Sequence, residues 1–60
     1  MIANPKRGAR VVVTDGSAKG KAGVILGRSS IAWSPTVPSF HVELPDGPAI
    51  IRADYLDVAA

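Results

Sequence analysis

Two groups of cations carry the clearest chemistry in this chain, because their spacing suits a polyanion. Lys19-Gly20-Lys21 sets two ammonium groups on either side of a residue without a side chain. One phosphate could meet both charges and the backbone amides between them. Lys6, Arg7 and Arg10 form a second group upstream. They would share one edge with Lys19 and Lys21 if the chain doubles back between the two groups, and Arg28 would extend that patch. The plainer alternative is that Gly20 serves a turn. The cations, including those of a basic N-terminal arm over residues 1–8, would then be ordinary solvated surface.

A third candidate is Trp33, inside the stretch Ser30-Ile31-Ala32-Trp33-Ser34-Pro35-Thr36-Val37-Pro38. An aromatic in a proline-bearing loop could stack a base, a contact worth ~1–3 kcal/mol. With Pro35 and Val37 beside it, Trp33 could instead anchor a protein interface, where tryptophan is enriched. It could equally fold back over a core short of aromatics, since only Trp33, Phe40 and Tyr55 are present. Of the two binding readings the protein contact is favoured, because single-strand binders offer several stacking platforms. For catalysis the chain holds little. His41 has no nucleophile or carboxylate partner in any recognisable spacing, and cysteine is absent. Asp46 reads as turn chemistry. No catalytic residue, metal site or cofactor is therefore expected.

The elements that must position these residues are strands. Five prolines and six glycines are spread along the chain, and no window sustains helical spacing. A first strand is expected over 10–14, with Val11 and Val13 on one face and Val12 on the other. A second is expected over 23–29, with Val24 and Leu26 opposite Ile25. Residues 39–44 alternate, placing Phe40, Val42 and Leu44 against His41 and Glu43, the pattern of a half-buried strand. Pro45-Asp46-Gly47-Pro48 then predicts a tight reversal and 49–52 the returning strand. Ala53-Asp54-Tyr55-Leu56 suits a single 3₁₀ turn with Asp54 as its cap, followed by a last strand over 56–58. The two prolines at 35 and 38 bar regular pairing, so 30–38 is expected to be a semi-rigid loop.

The segment Arg10 to Leu26, with Gly8 before it, resembles the KOW motif of a ribosomal protein family and of NusG-type transcription factors. Gly8, Val11, Val13, Gly16, Lys19, Gly20, Lys21, Gly23 and Val24 fall on the motif, whereas Ser17 and Ala18 stand where many relatives carry bulkier or more basic residues. The stretch 51–58 resembles the end of an SH3-like barrel, where an aromatic and a leucine plug the open end. Together these resemblances imply an all-β, five-stranded SH3-like barrel with a single 3₁₀ turn before the last strand. They also imply that the basic connection lies against RNA or protein. One enzyme family shares this architecture, the type II dihydrofolate reductases, whose pore strand reads V-Q-I-Y. The equivalent Ala49-Ile50-Ile51-Arg52 lacks both the glutamine and the tyrosine.

Size and charge complete the expectation. At 60 residues the chain is one domain, with no disulfide to reinforce a core that buries only about 60% of the unfolded surface. Its stability must come from a compact β core, from oligomerisation or from a partner. The net charge of +2 conceals an asymmetry. Residues 1–30 hold six bases against one acid, and residues 31–60 hold one base against four acids. No stretch approaches the roughly 20 apolar residues of a membrane span, and no signal peptide is evident, so a cytoplasmic location is expected. The sequence thus points to a non-enzymatic module docking a basic edge on RNA or DNA phosphates with little sequence preference. The competing reading is protein binding or homo-oligomerisation through the Trp33 loop, with a protein of the transcription or translation machinery as a partner.

Overall fold

The computed structural model describes residues 5–31 and 35–59. Within them the chain forms five strands: β1 (Arg10–Val13), β2 (Ala22–Arg28), β3 (Ser39–Leu44), β4 (Gly47–Arg52) and β5 (Leu56–Val58), with a 3₁₀ turn over Ala53–Tyr55. They make one antiparallel sheet in the order β4-β3-β2-β1-β5. The all-β expectation holds. The two edge strands, β4 and β5, do not pair with each other, so the hydrogen bonds trace an open sheet and not a closed barrel. The 3₁₀ turn spans the gap. Thr14 donates to the Tyr55 carbonyl at 2.7 Å, and Ala53 donates to the Pro38 carbonyl at 2.9 Å. No helix among the described residues is long and apolar enough to cross a membrane.

A single sheet can bury one face only by curling over it. The residues that meet inside are Val11, Val13, Ile25, Phe40, Val42, Leu44, Ala53 and Leu56, and Ala9, Ala18, Val37, Ala49 and Ile51 pack against them. Period-2 alternation explains Val11 with Val13 and Phe40 with Val42 and Leu44. In β2 the lone Ile25 goes inward, leaving Val24 36% and Leu26 42% exposed. The reason is Gly23, which shares the inward face with Ile25. A Cβ built there would stand 2.5 Å from the Glu43 carbonyl oxygen, 2.8 Å from Val42 Cγ1 and 2.9 Å from Leu44 Cδ2. Only a residue without a side chain lets β2 press this closely on β3. A register shift between Ile25 and Gly27 marks a bulge, which adds to the twist.

The β3–β4 hairpin is tighter than the sequence suggests, and β4 starts two residues early. Leu44 faces Gly47, so Pro45 and Asp46 alone make the bend. Pro48 then sits inside a strand, and alternation explains how. The Ser39 carbonyl accepts from Ser29 on the β2 side, 2.9 Å away, so Ser39 turns its polar backbone from β4. Counting along the ladder, the Glu43–Pro48 and His41–Ile50 pairs exchange no hydrogen bond either. The missing Pro48 N–H therefore points off the sheet edge and costs the ladder nothing. Asp54 does not cap the 3₁₀ turn as expected. The capping position is Arg52, which makes no side-chain cap bond. Asp54 lies within the turn and accepts from Arg52 Nε at 2.9 Å and from Nη2 at 2.7 Å.

Gly23→Ala is expected to cost more than the ~1–3 kcal/mol usual for overpacking, because a backbone oxygen in the sheet has nowhere to go. Gly16→Ala, at φ 81° and 3.3 Å from the Tyr55 ring, should cost about 1–2 kcal/mol, since the ring can give. Thermal unfolding followed by circular dichroism checks the ranking. Equal or reversed losses would remove Gly23 as the constraint on sheet curvature.

Candidate nucleic-acid interface

The connection between β1 and β2 is held by its own backbone. Gly20 donates to the Val13 carbonyl at 2.8 Å and Val13 donates to the Lys21 carbonyl at 2.9 Å. Lys19 donates to Gly16 at 3.2 Å and Lys21 to Ala18 at 3.0 Å. The amides of Lys19, Gly20 and Lys21 are thus all committed. The expected cradle of free amides for a phosphate is absent; closing a tight bend consumed the donors. What the bend offers an anion is side-chain charge alone. Lys19 is exposed and meets no carboxylate among the described residues, whereas Lys21 hydrogen-bonds Asp46 in the β3–β4 bend. The two side chains are 43% and 77% exposed. The hydrogen bond from Lys21, and then its charge, hold the Asp46 carboxyl below the ordinary aspartate value.

The other predicted cations lie along the same hairpin but not in one cluster. Arg10 faces Val24 across the β1–β2 ladder, while Val13 bonds to Lys21. Three residues of strand, about 10 Å, therefore separate Arg10 from the bend. Lys6 and Arg7 lie farther on, in a turn where Ala9 donates to the Lys6 carbonyl at 3.0 Å. Gly8 and Ile25 tie that turn to β2, with Gly8 N–H to Ile25 at 2.7 Å and Ile25 N–H to Ala9 at 2.9 Å. The result is a file of exposed cations: Lys19 and Lys21 at one end, Arg10 between, Lys6 and Arg7 at the other. Arg28 is exposed at the end of β2, opposite Phe40. Acids flank the file, with Glu43 facing Val24 on one side and Asp57 facing Val12 on the other.

The protein-contact candidates divide. Trp33 lies outside the described residues. Pro35 is exposed, but Val37 is half-buried and packs against the core, so it is no free contact. Sequence reasoning missed a groove of about 320 Å³ between Asp15-Gly16-Ser17-Ala18 and the face formed by Ile50, Ile51, Arg52 and Tyr55. The Arg52 guanidinium stands 5.1 Å over the Tyr55 ring and is clasped by Asp54, whose hydrogen bond raises its pKa further. The signal was the Arg-x-Asp-Tyr spacing of residues 52 to 55, an ion pair and a cation–π contact written into one turn. His41 is exposed on β3, and no three metal-ligating side chains converge among the described residues. Comparison with known proteins finds no matching family model, no similar curated protein and no similar solved structure.

Because pairing lowers the pKa of Asp46, its contribution to stability is present above the unfolded value near 3.8 and is lost as pH falls through the lowered folded value. Carboxyl-detected NMR titration should place Asp46 below an ordinary aspartate. Lys21→Gln should return it to the ordinary range. An unchanged titration in that variant would show that the pair does not form.

Proposed function

We propose that this chain is a small non-enzymatic binding module, an SH3-like barrel with a KOW-type first hairpin, that docks on RNA or DNA phosphates with little sequence preference. One observation carries the reading. Lys6, Arg7, Arg10 and Lys19 are exposed along β1 and its flanks and meet no carboxylate among the described residues. The single base of the second half, Arg52, is by contrast engaged with Asp54. Positive charge free to meet a ligand is therefore concentrated on one hairpin, the region where the motif resemblance implies contact with RNA or protein. The committed amides support low specificity, since charge-only contacts position a partner without reading bases. An affinity in the ~10⁻⁴–10⁻⁶ M range at physiological salt fits such contacts. A cytoplasmic role beside the transcription or translation machinery suits a domain of this kind.

A second reading, protein binding or self-association, draws on a separate observation. The Ile50 N–H and C=O point away from β3 at an open edge, beside the groove that Ile51 and Tyr55 line. An extended peptide backbone complements such an edge.

The nucleic-acid reading predicts strong salt dependence. If about four phosphates are contacted on duplex DNA, affinity should fall roughly 100-fold between 50 and 200 mM salt. Fluorescence anisotropy with a labelled duplex and a labelled oligouridylate measures this. The triple variant Lys6→Glu, Arg10→Glu, Lys19→Glu should abolish binding. Salt-independent binding, or a variant that binds like the wild type, would turn the assignment toward the peptide edge.

A further inference from the structure

We propose that Asp46 is a resident anion on Lys21, so that a nucleic-acid phosphate gains its full set of contacts only by displacing this carboxylate. The inference rests on the phosphate-docking reading and adds to it a residue that sets affinity. Several observations converge. The pair bridges two bends that are otherwise closed independently, the β1–β2 connection by its backbone bonds and the β3–β4 bend by the Leu44–Gly47 pair. Neither bend needs the ion pair to hold its shape. Both side chains are substantially exposed, at 43% and 77%, so an incoming anion can reach the ammonium. An exposed ion pair is also weak enough to be exchanged.

Asp46 is moreover the only carboxylate that pairs with a cation of the file among the described residues. Glu43 and Asp57 lie beside the file without an ion pair, and the Asp15 Oδ1 accepts from the Gly16 N–H at 2.8 Å. Of the cations at the bend, Lys19 stands open and Lys21 is occupied. A phosphodiester can substitute for the carboxylate, since it presents anionic oxygens to the same ammonium donors. In the free protein Lys21 is neutralised and the bend carries one available charge. In the bound protein it carries two, and the Asp46 carboxylate returns to water.

The test uses the full chain, a labelled 16-nucleotide oligouridylate and a labelled 16-base-pair DNA duplex, with anisotropy read across a salt series. Asp46→Asn should tighten binding roughly two- to fivefold at low salt, the range an exposed pair commands. Its log–log salt slope should match that of the wild type, because the same phosphates are neutralised once the carboxylate has left. Asp57→Asn makes the same change in net charge on β5 and should give a smaller gain. In the Asp46→Asn, Lys21→Gln double variant the gain should vanish. Equal gains from Asp46→Asn and Asp57→Asn, or a gain that survives in the double variant, would reduce the effect to net charge and overturn the proposal. Wild-type binding with no response to Asp46→Asn removes the resident-anion role alone. Failure of both the wild type and Asp46→Asn to bind either probe removes the docking reading and this proposal with it. Loss of wild-type binding rescued by Asp46→Asn would support the role in its strongest form.

Discussion

The contact between Gly23 and β3 is the constraint on which the rest of the molecule depends. A five-stranded sheet with no second layer must supply both walls of its own core, and it can do so only by bending sharply somewhere. Residue 23 has no Cβ, the Glu43 carbonyl takes that space and β2 presses on β3; the bulge that adds twist follows between Ile25 and Gly27. From there the inward positions follow: Ile25 two residues on, Val11 opposite Gly23, and Val42 beside them. Antiparallel pairing of β1 through β4 brings the β1–β2 connection and the β3–β4 bend to one end of the sheet, where Lys21 finds Asp46. Strand order thereby sets the electrostatics at the rim.

Charge is distributed by strand as much as by sequence half. The first hairpin holds cations that face water, and the neighbouring strands hold acids close enough to shape the field without neutralising it. A ligand approaching this surface meets attraction along one file and repulsion on either side. Under the proposed docking, that pattern suits a narrow, linear polyanion better than a broad one. The groove by Tyr55 is of another character. Arg52 is fixed there by Asp54 below and by the aromatic ring, so its guanidinium acts as part of the wall and adds little free charge.

How much of this could be read beforehand differs by element, for identifiable reasons. Residues 39–44 and 56–58 emerge with the bounds their patterns suggest, because alternation and the preceding turn chemistry agree there. The inward face of β2 was not legible. Val24 and Leu26 outnumber Ile25, and only the close approach at Gly23 decides against them. The cradle of amides failed because a sequence shows which residues could donate but not which carbonyls reach them first. Asp54 looked like a cap because it opens a turn, yet the guanidinium two residues earlier is the stronger partner. In the sequence Asp46 shows only bend chemistry, since a pairing across 25 positions leaves no trace in local composition.

Pro48 has a meaning that reaches beyond its own hairpin. An unprotected strand border invites identical chains to stack into fibrils, most of all in a small all-β domain at the concentrations met during synthesis. Here one of the few outward backbone positions on that border has no hydrogen to give, so a copy laid alongside would lose part of its ladder at once. The proline thus works against runaway polymerisation, while the adjoining Ile50 keeps its outward N–H and C=O.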